Sequence, residues 1–183
     1  MKKGIIIVIL VLSICTGCFN FNRLKKVQSS TNVNENKDLV FEKDFGTYSV
    51  SNTWEENIEH STDKKFFYKK KGDNSNPPNN ISVEMGTNRY SENDHMTFRS
   101  AILRQLVMQT HSSIDQIKAN GSNTNNNYVL YTFIIEGEKS TIKQYYIVGD
   151  YKYILVYATI FDKTNEEEVD NISSQIVNSF TWK

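Results

Sequence analysis

The sequence is poor in several residue types that chemistry leans on. It has two cysteines, two prolines and three histidines, and 21 basic residues balance 21 acidic ones. Both cysteines, Cys15 and Cys18, fall near the amino terminus. The rest of the chain therefore has no thiol nucleophile, no disulfide and no cysteine-bound metal. The histidines, His60, His95 and His111, stand in no close metal spacing such as HExxH and read as surface residues. There is no G-x-S-x-G elbow, no phosphate-binding glycine loop and no S-x-x-K pair. No cofactor is implied. The balanced charge argues against a dedicated nucleic-acid binder. Both prolines sit together at Pro77-Pro78, so the oxygen-rich Asp73-Asn74-Ser75 before them reads as a plain turn, off the spacing of a calcium loop.

What is present first is an address. The chain opens MKKGIIIVILVLSICTGC: Lys2 and Lys3, then the unbroken apolar run Ile5 to Leu12, then the small residues Ser13, Thr16 and Gly17. This is the three-part pattern of a secretory signal peptide. The run is well short of the roughly 20 apolar residues that a membrane-spanning helix needs. Thr16-Gly17-Cys18 resembles the end of a bacterial lipobox, in which a small residue and a glycine precede the cysteine that receives diacylglycerol. Cys15 stands where such boxes usually carry leucine, and Ile14 before it is too bulky for Cys15 to be the acceptor. The expected lipidation site is thus Cys18; secretion without a lipid is the alternative.

The expected organisation is a signal peptide over 1–17, a lipidated cysteine and tether over 18–38, and one domain over 39–183. The tether, NFNRLKKVQSSTNVNENKD, is rich in Asn, Ser and Lys and has no apolar period. Chain of this kind and length spans about 25 Å on average. The protein is expected on the extracytoplasmic face of the cell membrane, held by its lipid. Without Lys2 and Lys3 the basic residues fall to 19 against 21 acidic ones, so the domain needs no anionic surface.

In the domain, Val40-Phe41 and Gly46 to Val50 read as one opening strand bent at Gly46. Further strands are expected at 65–69, 81–85, 128–136, 141–148 and 151–161, where Tyr, Ile, Val and Thr concentrate. Gly149-Asp150 suits a two-residue hairpin turn, and the Asn-rich 120–127 reads as a surface loop. Both parities of 153–161 are apolar, as are both of 129–135, which predicts central strands covered above and below. Two helices supply the cover, one near 93–110 and one from Asn165 to Phe180, where Val169, Ile172, Ile176 and Phe180 keep helical spacing. Thr164 with Glu167 forms an expected capping box, and Glu166, Glu167 and Glu168 suit the positive end of the helix dipole. The fold class is α+β: an antiparallel sheet packed by helices on both faces.

The element order resembles the PsbP-like fold. Gly46-Thr47-Tyr48-Ser49-Val50-Ser51-Asn52-Thr53-Trp54 is similar to that family's entry pattern of Gly, apolar, Ser, apolar, Pro and a following Trp, with Asn52 at the usual proline. Ile176-Val177-Asn178-Ser179-Phe180 is similar to its terminal Asn-Ser-Phe. The family includes the extrinsic oxygen-evolving photosystem subunit, a yeast Ran nucleotide-release factor and many bacterial lipoproteins. The resemblance covers about 39–183. It implies an α/β/α sandwich and non-covalent binding, and carries no catalytic residues across.

One surface stands out in KKFFYKKK, residues 64–71. Lys69, Lys70 and Lys71 with Phe67 are candidate binding residues, as is Trp54. The competing reading makes 65–69 an edge strand whose lysines block aggregation, and Trp54 a core plug. The expected function is a non-enzymatic accessory module that binds a protein partner of the envelope. An enzyme acting on an envelope polymer and a small-ligand carrier are the alternatives.

Overall fold

The computed structural model of the chain describes residues 38–183. The expected signal peptide, Cys18 and the tether up to residue 37 lie outside the described residues. Two strands open the fold, β1 (Leu39–Lys43) and β2 (Gly46–Val50), paired antiparallel from Leu39 opposite Val50 to Lys43 opposite Gly46. They form a hairpin, where one bent strand was expected. The chain reverses at Asp44-Phe45, with Phe45 buried on Tyr48, Phe66 and Phe180. The last residues, β10 (Thr181–Trp182), pair with β2 and complete a small three-stranded sheet.

The main sheet has seven strands. In chain order they are β3 (Trp54–Glu56), β4 (Lys65–Lys70), β5 (Asn80–Thr87), β6 (Ile117–Asn123), β7 (Val129–Glu136), β8 (Thr141–Gly149) and β9 (Lys152–Ile160). Across the sheet the order is β3-β4-β5-β9-β8-β7-β6, with every pair antiparallel. Helix α1 (His95–Thr110) connects β5 to β6, and α2 (Glu166–Ser179) follows β9.

The double-sided apolar strands do what their composition demands. On one face of β9, Ile154, Val156, Ala158 and Ile160 are fully buried and pack with Val169, Ile172, Ile176 and Val177 of α2 and with the small sheet. On the other, Tyr153, Leu155 and Tyr157 join Tyr131, Phe133 and Ile135 of β7 under Phe98, Ile102 and Leu106 of α1. The sheet is thus packed by a helix on each face. Each fully buried Ile or Val contributes about 1.5–3 kcal/mol by leaving water.

Three local expectations need correction. The β8–β9 turn is Asp150-Tyr151, because Gly149 pairs with Lys152. Tyr151 takes left-handed φ of 56°, held by its N–H donating to the Tyr90 carbonyl (3.0 Å) and its carbonyl accepting from the Asn88 N–H (2.9 Å). Gly149 instead makes room: a Cβ there would lie 2.8 Å from the Trp182 ring. Second, Asn120 to Asn123 belong to β6, since pairing with β7 overrides their poor strand propensity; only the residues after them turn. Third, Thr164 does not cap α2. Asp162 accepts from both the N–H and the hydroxyl of Thr164 (2.9 and 2.7 Å) in a preceding single turn, so that hydroxyl is occupied and the helix starts at Glu166.

Candidate functional site

Strand β4 is an inner strand between β3 and β5, so its lysines do not guard an edge. Alternation sends Phe66 and Tyr68 into the core and turns Lys65, Phe67 and Lys69 to the opposite face. Lys65 pairs with Glu84 at 3.4 Å and lies 5.2 Å from the Phe67 ring, whose other neighbour is the exposed His60. Phe67 is therefore half-buried. Trp54 is 1% exposed and sits as a core plug, with its indole N–H donating to Glu168 Oε1 at 3.2 Å. The second oxygen of Glu168 takes Lys70 Nζ at 2.7 Å. Lys71 remains exposed, and its backbone N–H bonds the Thr53 carbonyl.

Trp54, Lys70 and Lys71 border a concavity of about 270 Å³ between β4 and the start of α2, where Asp73 and Asp162 join Glu168. Hydrogen bonds from Ser75 hold the Asp73 carboxyl below its ordinary pKa, and those from Thr164 and Asn165 do the same for Asp162. Lys70 and Lys71, which look like part of an unopposed basic surface in sequence, thus border three carboxylates, and Lys70 pairs with one of them.

A second polar cluster fastens α2. The Lys143 side chain, 8% exposed on β8, has Glu166 and Asp170 oxygens each 2.7 Å from its Nζ. Burial pulls its pKa down, and Asp170 and Glu166 more than restore it, so the ammonium titrates above its usual value. The acidic start of α2 therefore does more than meet the helix dipole. Between β2 and β4, the buried Tyr48 and Tyr68 hydroxyls share a 2.6 Å hydrogen bond, and burial drives both pKa values far up.

The other surface was hidden in the sequence. The first turn of α1 carries His95, Met96 and Arg99 over the β6–β7 end of the sheet. His95 Nδ1 lies 2.6 Å from the Tyr131 hydroxyl, which also donates to Met96 Sδ at 3.2 Å. Burial raises the Tyr131 pKa, and Arg99, 5.8 Å above the ring, works against that rise. Between this turn and β6 runs an open groove floored by Ala119, Gly121, Val129 and Tyr131. The available signal was the alternation Ile117-Lys118-Ala119, masked by the asparagines after it. His111 is exposed in a left-handed conformation that ends α1. Among the described residues, no group of three or more His, Cys, Asp and Glu side chains could hold a metal, and no helix is long and apolar enough to cross a membrane.

No family model and no curated protein matches the chain. Solved structures do. CyanoP, the cyanobacterial PsbP of Synechocystis sp. PCC 6803, superposes with a TM-score of 0.53 at 11% identity, over 86% of this chain and 99% of its own. The fold is PsbP-like. Mog1p, a Ran-binding protein of Saccharomyces cerevisiae, gives a TM-score of 0.53 at 9% identity over 80% of this chain and 96% of its own. A mutant of Mog1 gives 0.52 at 10% identity, over 80% and 95%. At such identities the likeness is one of fold.

Proposed function

We propose that this chain is a lipid-anchored binding module on the extracytoplasmic face of a bacterial membrane, docking non-covalently on a protein partner of the envelope. The observation that carries this reading is how the paired polar side chains are used. Lys143 is held by Glu166 and Asp170, Trp54 and Lys70 by Glu168, and Tyr48 by Tyr68. Each set fastens one element to another, the Glu168 set at the rim of the concavity beside β4. The Ran-binding name of Mog1p supports a docking role, and Thr16-Gly17-Cys18 supports the anchor.

The test has two arms on the full chain. Labelled palmitate is expected to enter the wild type and to be absent from Cys18→Ser; label retained in Cys18→Ser and lost from Cys15→Ser moves the anchor. Cross-linking in envelope membranes is expected to trap a protein partner, and reversing Lys69 and Lys71 is expected to weaken capture in steps that added salt shrinks. Conversion of an envelope polymer that one buried substitution abolishes, with folding and capture intact, would show an enzyme instead.

A further inference from the structure

We propose that the free edge of β6 receives an extended, acidic segment of the protein partner, which adds to the main sheet as a further strand beside the first turn of α1. The inference rests on the docking role above and adds a second contact to it, at the other end of the main sheet from Lys69 and Lys71. The two ends of the main sheet differ. At one, β3 is only three residues long, with Trp54 buried and Glu56 tied to Lys43 at 3.2 Å. At the other, β6 runs seven residues in unbroken register with β7, from Ile117 opposite Ile135 to Asn123 opposite Val129. Exposed edges of that length invite another strand unless charge, proline or a bulge blocks them. Here the single lysine, Lys118, is drawn to Glu136 at 2.6 Å, and the following residues are small and neutral. The Gly121 N–H is satisfied by the Asn120 side-chain oxygen at 2.9 Å, a local acceptor that an incoming carbonyl can replace.

Parity and charge define the occupant. Ala119 and Gly121 pair with Phe133 and Tyr131, so they share the face that α1 covers. Alternate side chains of an added strand would enter the groove below Met96, which is 59% exposed, and Arg99, which makes no ion pair among the described residues. A carboxylate on the incoming strand complements that guanidinium. The other available occupants carry the wrong charge. A second copy pairing through its own β6 would bring Lys118 and no carboxylate to face Arg99. The tether over 20–38 holds Arg23, Lys25, Lys26 and Lys37 against Glu35 and Asp38, so it is net basic. Strand addition takes affinity from main-chain hydrogen bonds and specificity from alternate side chains, the two things this edge offers.

The experiment selects a phage-displayed library of short random peptides on the full chain. Expected winners alternate in polarity, are rich in β-branched residues and carry Asp or Glu at a recurring position. On binding they slow amide exchange at Ala119, Gly121 and Asn123. Gly121→Pro, which removes an edge N–H, abolishes binding, and Arg99→Glu weakens the acidic peptides about tenfold or more. Should Gly121→Pro lose its thermal transition, Arg99→Glu on the helix surface decides alone. The proposal is overturned by no enrichment, by basic or helical winners, by winners indifferent to Arg99→Glu, or by a wild-type dimer in sedimentation that Gly121→Pro dissolves. Docking itself is tested separately, by the cross-linking in envelope membranes, and can stand when the strand-addition surface falls.

Discussion

The two faces of the main sheet are fastened by different means. Over the α2 face, packing is reinforced by polar contacts from one end of the helix to the other: Glu166 and Asp170 on Lys143, Glu168 on Trp54 and Lys70, and Ser179 Oγ accepting the Ser49 N–H at 2.9 Å. Over the α1 face, Phe98, Ile102 and Leu106 supply the packing, the His95–Tyr131 pair with its Met96 contact joins helix to sheet, and Tyr146 donates to Gln144 at 2.8 Å within the sheet. Polar pairs of this kind contribute modestly each, but they fix one register of helix on sheet. Stability and a unique packing are therefore concentrated on the α2 face. The α1 face borders the open edge of β6, where we propose that a partner strand adds.

The largest break of this asymmetry comes from the core below α2. Ile172→Ala or Val156→Ala is expected to cost about 1–4 kcal/mol in denaturant unfolding, because each leaves a cavity in a packed layer. Next is Lys143→Met. The partner carboxylates can rehydrate, so the expected loss is about 1–3 kcal/mol, appearing in the unfolding midpoint with the slope unchanged.

Tyrosines of both faces set the alkaline limit. Burial pushes Tyr145 and Tyr157 up to about 12, and drives Tyr48 and Tyr68 further, from the usual tyrosine value of 10.0. Lys143 is raised as well. In every case the folded state holds its proton more tightly than the unfolded state. The stabilisation is fully present below the unfolded values and is lost as pH climbs through the folded ones. Stability should be flat through neutral pH and fall above about pH 10, with tyrosinate absorbance from these residues rising together with unfolding. Tyrosinate forming in full while the fold persists would show that these rings are not buried. Lys143→Met should flatten part of the alkaline slope.

Much of this division was legible in the sequence. The two-sided apolar strands, with Ile154, Val156, Ala158 and Ile160 opposite Leu155, demanded cover on both faces, and the helical spacing from Val169 to Phe180 supplied half of it. What stayed hidden depended on pairing across distance. Asn120 to Asn123 have the composition of a loop and become strand only because β7 lies beside them. Lys70 reads as a free cation until Glu168, far along the chain, is placed 2.7 Å away. Trp54 could have been plug or anchor, and the helix laid over it decided.

The smallest effects belong to the open side and to the tether. Arg99→Glu should cost about 0.5–1 kcal/mol, the worth of a half-exposed cation over the buried Tyr131 ring. Deleting residues 20–38 should cost almost nothing in thermal stability, and a large loss would make that segment part of the fold.

Native-state hydrogen exchange on the full chain tests the asymmetry most directly. Amides of Val169 to Val177 in α2 and of Ile154 to Ala158 in β9 should exchange only through global unfolding, while β6 and the first turn of α1 open at far lower free energy. Exchange at Ala119 to Asn123 as slow as in α2 would contradict the account, because that edge would then be neither loosely held nor available to a partner.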